Sequence, residues 1–460
     1  MKDVEDIHRP MLNSLQSTSA KMKKIVLSVN AGSSSVKISA YSALFGQAPI
    51  QIAEAQISGL TAPPATLKYT RRGEKVINDE EVKDQKVSDQ ADAFDILLKT
   101  LIDDNGVPEI SSKEDIAYVC HRIVHGGEFV RPKLISDETY HNLEKLSDLA
   151  PLHNSTSLVI VHRCMSDLPK TTLNIACFDS QFHHTIPDHI RTYPINQDIA
   201  RSNHLRKYGF HGISYAFITR AVAEYLDKPV ENVNIIALHL GSGASACAIK
   251  GGKSLDTSMG LTPLAGLPGA TRSGSVDPSL VFHYASDVGK LSPASTKELH
   301  ISRAEEILNK ESGWKALTGT TNFGTITAAL DPSSNSNLSQ QQIANMRLAF
   351  NLFVDRITGF IGSYYVSLQG QVDALVFAGG IGERSDKLRQ AVVEQVSCLG
   401  FGPVDKDANV ERVGQELDDD HAVVEIAPES KKGGHRVLVC KTDEQFEMAR
   451  ACAEDGEFWR

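Results

Sequence analysis

The feature that most constrains this chain is a strand, loop, strand unit that occurs twice. Lys24-Ile25-Val26-Leu27-Ser28-Val29 is a short β-branched run that reads as a buried strand. The Gly/Ser loop Asn30-Ala31-Gly32-Ser33-Ser34-Ser35-Val36-Lys37 follows, and a second strand extends from Val36 to Tyr41. The pattern returns as a strand over Val233–Leu240, the loop Gly241-Ser242-Gly243-Ala244-Ser245 and a strand over Ala246–Lys250. Laying Val29-Asn30-Ala31-Gly32-Ser33 on Leu238-His239-Leu240-Gly241-Ser242 puts Gly-Ser at the same point between two strands. This reads as a duplicated domain, with chance similarity of a short match as the competing reading.

At 460 residues the chain exceeds the roughly 250–300 residues at which a single core stops growing, so two domains with a ligand cleft between them are expected. Further strands are expected at Gln51–Ser58, Thr66–Arg71, Ile116–Val124, Thr172–Phe178 and Asp373–Phe377. Helices are expected at about 89–101, in two pieces between 137 and 165, over 339–368 and over 386–397. Antiparallel strands followed by βαβ units define an α/β class. The stretches 287–299, 333–339 and 403–419 read as surface loops.

A formal net charge of -10 disfavours nucleic acid and anionic membranes as partners, yet leaves room for a local basic pocket. The seven cysteines are scattered without a CxxC pair, which indicates neither a disulfide framework nor a zinc site and fits a reducing, cytoplasmic compartment. No apolar run reaches the roughly 20 residues that span a bilayer. Residues 1–23 are polar, broken by Arg9-Pro10 and acidic at Asp3, Glu5 and Asp6, so they read as a flexible extension rather than a signal or transit peptide.

Several residues carry chemistry. Gly32 admits close backbone approach, Ser33 and Ser35 bring hydroxyls, Asn30 an amide and Lys37 a compact cation. That set suits phosphate oxygens and a metal's water shell, though an ordinary Gly/Ser hairpin has the same composition. Arg122, in His121-Arg122-Ile123-Val124-His125-Gly126-Gly127, ends an expected strand, where α/β folds place ligand groups. A guanidinium there grips a carboxylate or phosphate through two hydrogen bonds, or forms a surface ion pair. Asp179 ends the next strand, in Phe178-Asp179-Ser180-Gln181, and His211 lies between glycines in Tyr208-Gly209-Phe210-His211-Gly212, as a reacting group or a buried core histidine. Adjacent His183 and His184 diverge on any regular backbone, which disfavours a metal pair. Arg272 stands in the Gly-rich loop Gly266–Gly274, suited to neutralising a transferring phosphoryl group unless it is solvated. The strand before Ala378-Gly379-Gly380-Ile381-Gly382-Glu383-Arg384-Ser385 and the helix after it have a nucleotide-cradle layout.

Taken together, Asn30–Lys37, His121–Glu128, Pro151-Leu152-His153-Asn154, Phe178–Pro187, Tyr208–Gly212, His239–Ser245, Asp256–Pro278, Ala378–Ser385 and Thr442-Asp443-Glu444 resemble the acetate kinase family, in that family's motif order, over about residues 24–450. The resemblance implies two duplicated actin-like (ribonuclease H-like) domains, 24–180 and 181–445, with a C-terminal helix 446–460 joining the first. It implies a homodimer and reversible phosphoryl transfer between ATP and acetate, giving ADP and acetyl phosphate, with Mg²⁺ or alternatively Mn²⁺ at Asn30 and Glu444. By the same resemblance Arg122 and Arg272 hold the carboxylate and the transferring group, Asp179 orients the arginines, and His211 steadies the transition state. Val124, Leu152, Phe210 and Pro263 would enclose the acetate methyl, and Ser33, Ser35 and Lys37 would shape the phosphate end. His239, Gly241, Ser242, Gly243, Asn322, Gly379, Gly380, Ile381, Gly382 and Arg384 would serve the nucleotide.

Three places depart from the family pattern. Ser242 and Arg384 each replace an Asn, and Thr320–Thr325 reads Thr-Thr-Asn-Phe-Gly-Thr where bacterial members carry an Asp and an Arg. All three lie on the nucleotide side, which leaves pyrophosphate as an alternative donor. A propionate or butyrate kinase, and a nucleotide-responsive binding protein on the same scaffold, are the competing readings.

Overall fold

In the computed structural model the chain divides into two units, Met1–Gln181 with Asp443–Arg460, and Phe182–Thr442. The structure describes residues 22–32, 34–61, 63–83, 87, 89–146, 151–284, 291, 292, 295, 301–332, 338–418, 421–427 and 434–459, the side chains of 145, 151–153 and 284 excepted. Ser33, the Leu152 side chain, most of 287–299 and residues 333–337 therefore lie outside the described residues.

The first unit is built on the strands β1 (Lys24–Ala31), β2 (Ser35–Ala43), β3 (Ile50–Ser58), β4 (Thr66–Arg71), β5 (Glu74–Glu81), β6 (Ile116–Ile123), β7 (Lys133–Leu134) and β8 (Leu173–Phe178). Their order in the sheet is β5-β4-β3-β2-β1-β6-β8-β7. β1, β2 and β3 run antiparallel, whereas β6 lies parallel to β1 and β8 parallel to β6. β1 is buried from Ile25 to Val29 because both faces are covered, which is why it reads as a continuous apolar run rather than an alternating one. The helix Gln90–Ile102, capped by Asp89 through the Asp92 amide, packs Phe94, Leu97 and Leu98 into the same core as Ile160 and Cys164 of the helix Pro151–Asp167. The helix Glu444–Glu454 lies against β1, β2 and β6. Its buried Gln445 donates to the carbonyls of Ser28 (3.2 Å) and Lys37 (3.3 Å), while the Ser28 hydroxyl donates to the Gln445 carbonyl (2.8 Å).

The second unit carries β9 (Ile235–Leu240), β10 (Ala244–Lys250), β11 (Lys253–Thr257), β12 (Ala374–Ala378), β13 (Val423–Glu425) and β14 (Arg436–Cys440), in the order β11-β10-β9-β12-β14-β13. Tyr215, Ile218 and Val222 of the helix Gly212–Tyr225 cover one set of strand residues, including Ile235, Ala237 and Val376. The helix Gln340–Ser367, which opens with a capping box of Ser339 and Gln342, covers the other set, including Ile236, Leu238, Leu375 and Phe377.

The two sheets share one motif. β3-β2-β1-β6-β8 and β11-β10-β9-β12-β14 each run as three antiparallel strands followed by two parallel ones. The expected equivalence of the two Gly-Ser loops follows from this order, with Gly32 and Gly241 opening the hairpins β1-β2 and β9-β10. Their closing pairs, Ala31↔Val36 and Leu240↔Ala244, make the first loop one residue longer.

Two expectations need correction. The stretch 403–419 is not only a surface loop, because Ala408–Arg412 and Val413–Glu416 are helical and Ala408, Asn409 and Val413 are buried. The strands β5, β11, β13 and β14 were not expected from the sequence.

Candidate active site

In the first unit the chemistry collects at the carboxyl ends of the parallel strands. Arg122 is the penultimate residue of β6, and Asp179 follows β8 directly, its amide donating to the Ile123 carbonyl (3.0 Å). Parallel pairing of Arg122 with Cys177 brings the two side chains together. Arg122 Nε donates to both Asp179 oxygens (3.1 and 3.2 Å) and Nη2 donates to Oδ2 (2.7 Å). Asp179 is only 1% exposed. The remaining nitrogen, Nη1, reaches Asn30 Oδ1 and Glu444 Oε2, both at 3.4 Å, and Asn30 Nδ2 donates to the same Glu444 oxygen at 3.4 Å. Burial alone would make the guanidinium easier to deprotonate, but the carboxylates of Asp179 and Glu444 outweigh it and hold Arg122 firmly protonated.

Asn30 and Glu444 bring one amide and one carboxylate. These are hard donors that suit a Mg²⁺ ion keeping most of its waters and taking its other ligands from phosphate. Among the described residues no group of three or more His, Cys, Asp and Glu is arranged to hold a metal. Lys37 lies opposite Asn30 across the β1-β2 pair, and its ammonium is 2.9 Å from the Glu54 carboxylate of β3. Ser35 opens β2, and Val124 is half-buried just beyond β6.

The second unit holds a separate cluster. His211 caps the helix Gly212–Tyr225 in the left-handed region (φ 59°), a conformation that few non-glycine residues adopt without a local reason. Its Nδ1 is 2.8 Å from Ser245 Oγ, and Ser245 Oγ is 2.6 Å from the Tyr215 hydroxyl. The Tyr215 oxygen also takes a hydrogen bond from the His239 backbone, so His211, Ser245 and Tyr215 form one chain of contacts anchored on β9. The His239 ring lies 4.3 Å from that of His211.

Arg272 Nη1 donates to the Pro263 carbonyl (3.2 Å), and its guanidinium fills the space beside Gly243. A Cβ on Gly243 would sit 2.0 Å from Arg272 Nη2 but 3.7 Å from His211 Nε2, so it would displace the guanidinium and only touch the imidazole. Phe210 is buried, and its carbonyl bonds the His183 ring at 3.0 Å, while Pro263 is also buried.

The nucleotide-side residues fall into two sets. Gly379 (φ 74°) presses on the β9 end, where a Cβ would meet the Leu240 carbonyl at 2.8 Å, and Gly382 lies under Ile381 against Phe377. Ser242, Asn322 and Arg384 are exposed, and the Asn322 side chain caps the helix Phe323–Ala328 by accepting from the Thr325 amide (3.3 Å). Sequence reasoning missed three supports: Ser245, Tyr215 and Arg389. Arg389, buried and with no ion pair among the described residues, donates to the carbonyls of Gly382 (2.9 Å), Glu383 (2.7 Å) and Asn409 (2.5 Å) and to Asn409 Oδ1 (2.6 Å). Only Ser245 left a signal, inside the Gly-Ser-Gly-Ala-Ser run.

A five-stranded motif present in two copies, one of them carrying Arg122 at a strand end, is the architecture of the actin-like α/β class of phosphotransferases. The chain belongs to the acetokinase family, whose model matches residues 25–450. It is 88% identical over the whole of both chains to a Neurospora crassa protein described as "Probable acetate kinase". Acetate kinase from Porphyromonas gingivalis superposes with a TM-score of 0.72 at 31% identity, covering 93% of this chain and 98% of that one. A propionate kinase from Francisella tularensis gives 0.73 at 28% identity over the same shares.

Proposed function

We propose that this chain is an acetate kinase that transfers the terminal phosphoryl group of ATP reversibly to acetate, giving acetyl phosphate and ADP. The observation that carries the reading is Arg122, gripped on two sides by buried Asp179 at the ends of β6 and β8. A carboxylic acid with a pKa near roughly 4 is already ionised at neutral pH, so its attack on phosphorus requires no general base. What the reaction needs is alignment and neutralisation of charge on the moving group. Arg122 and Arg272 take the carboxylate and the phosphoryl oxygens, Asp179 orients Arg122, and His211 steadies charge that develops in the transition state. Asn30 and Glu444 would hold Mg²⁺, which supplies charge compensation to the nucleotide phosphates. Val124, Leu152, Phe210 and Pro263 would enclose the methyl group. His239, Gly241, Ser242, Gly243, Gly379, Gly380, Ile381 and Gly382, with Ser33, Ser35 and Lys37, would shape the phosphate and nucleotide ends.

A homodimer belongs to the same proposal on family grounds. So does a cytoplasmic location, supported by seven free cysteines. No helix among the described residues is long and apolar enough to cross a membrane.

A donor and acceptor screen tests the reading. Purified protein is given Mg²⁺, ATP or pyrophosphate, and acetate, propionate or butyrate, and acyl phosphate is trapped with hydroxylamine. Acetate with ATP should give the highest kcat/KM. Nucleotide binding without transfer to any acid would favour a binding protein instead.

A further inference from the structure

Arg272 rides on the loop Gly266–Ser275, and a second segment holds that loop by its backbone. The Ser312 amide donates to the Thr271 carbonyl (3.0 Å), Trp314 to Gly269 (3.2 Å) and Lys315 to Ala270 (3.0 Å). The Thr271 hydroxyl donates to the Asn309 carbonyl (2.8 Å), and the Ser273 amide to Leu308 (2.9 Å). The three carbonyls preceding Arg272 are thus all bonded to residues 312–315.

Gly313 stands in the middle of this contact, at φ +66°. A Cβ there would meet the Gly269 carbonyl oxygen at 2.1 Å and the Ala270 carbonyl carbon and oxygen at 2.9 Å. These are main-chain atoms, so no rotamer change relieves the overlap and the loop itself must move. Trp314 makes the other side of the contact unyielding. It is buried, its ring packs on Phe323 and Phe353 with centroids 5.3 Å away, and its ring N–H donates to the Thr321 carbonyl (3.1 Å). The loop is also tied forward, since the Ala270 amide donates to the Ser242 carbonyl (2.8 Å) in the β9-β10 hairpin.

We infer that Gly313 is a positioning residue for Arg272: its missing side chain lets residues 269–271 lie directly on residues 312–315 and so sets where the guanidinium stands beside Gly243. The inference rests on the role proposed above for Arg272. Misplacing a group that acts on the reacting centre by about 1 Å costs on the order of 100-fold in rate.

Gly319 provides the control. It lies in the same segment at φ +79°, but nothing stands within 4 Å of its absent Cβ, so an alanine there meets the same backbone strain without the push. The experiment measures kcat and KM for acetyl phosphate formation in wild type, Gly313→Ala, Gly319→Ala, Arg272→Ala and the double variant Gly313→Ala/Arg272→Ala. Gly313→Ala should lower kcat about 30- to 100-fold, with the acetate KM changed less than about threefold, and Gly319→Ala should stay within about threefold of wild type. The double variant should be no slower than Arg272→Ala, because a residue acting through Arg272 has nothing left to disturb once Arg272 is gone.

Equal losses in the two glycine variants, or a double variant slowed by the product of the single effects, would overturn the inference. Trp314→Phe keeps an aromatic ring against Phe323 and Phe353 but loses the ring N–H and part of the packed ring, so it serves where Gly313→Ala does not fold. Its kcat should fall about three- to tenfold, a loss that vanishes in the Arg272→Ala background, and an unchanged kcat overturns the inference. Wild-type protein that makes no acyl phosphate overturns the proposed function and this inference together, whereas an active wild type failing these comparisons overturns the inference alone.

Discussion

Arg122 has three nitrogens and all are engaged, two on Asp179 and one toward Asn30 and Glu444. Asp179→Asn keeps the shape of this arrangement and removes its charge. We expect kcat to fall about 100-fold, near 3 kcal/mol of transition-state stabilisation, with an unchanged circular dichroism spectrum. Activity near wild type would show that Asp179 is mere packing. Gly243→Ala makes a contrasting case, because the atom in its way is the far end of the flexible Arg272 side chain. The fold should therefore survive with a thermal midpoint within a few degrees of wild type, while turnover drops at least tenfold as Arg272 is pushed aside. Motifs at strand ends made the groups that act legible in the sequence. The groups that hold them were not, since Ser245 reaches His211 across 34 residues of sequence and Arg122 reaches Glu444 across 322. Lys37 shows the converse: its place in the Gly/Ser loop suggests a phosphate, and only the β2-β3 register reveals Glu54 beside it.

At the scale of elements, the central strands announced themselves because they are buried on both faces and so read as apolar runs. β5 did not, since Glu74–Glu81 is a charged and largely exposed edge strand with no apolar alternation to detect. β14 is fully buried from Val437 to Cys440 but spans only five residues after a polar stretch. The stretch 403–419 looked like a loop for a related reason, as its Asn409 is buried to meet two polar partners, the Arg389 side chain and the Asp386 carbonyl. That arginine closes the Gly-rich turn by taking the carbonyls of Gly382 and Glu383, and burial pushes its pKa down to about 10. Arg389→Met would relieve the burial of a charge but leave several acceptors without donors. Each abandoned acceptor costs about 1–3 kcal/mol, so we expect a net loss near 3 kcal/mol, read as a lower urea midpoint. A midpoint equal to wild type would mean that the turn holds its shape without Arg389.

For the whole molecule, loss of stability in acid follows from two buried histidines, His121 in the first unit and His183 in the second. Burial pushes the His121 pKa down to about 4 against the opposing contact with Asn174. Burial likewise pushes His183 to about 4 against its bond to the Phe210 carbonyl. Both folded values lie below the ordinary 6.5, so above that pH the two residues are neutral whether the chain is folded or not. As pH falls from about 6.5 toward 4 the unfolded chain takes up protons first, and stability present at neutral pH is lost, at roughly 3 kcal/mol per histidine. Urea midpoints measured from pH 7 to 4.5 should fall, less steeply in His121→Gln, and a flat profile would contradict the assignment.

The duplicated motif was legible from two short Gly-Ser loops because hairpin geometry is local, whereas the strand order that makes the copies equivalent depends on distant parallel pairings such as Ile25↔Ile116 and Ile235↔Ala374. The central claim is that one arginine from each copy acts on the same reaction. It is tested most directly by trapping acetyl phosphate as hydroxamate, with acetate and MgATP, for wild type, Arg122→Ala and Arg272→Ala side by side. We predict product from wild type and a loss of at least about 1,000-fold in kcat for each variant, with the fold retained. Wild-type turnover that survives the loss of either arginine would contradict the account.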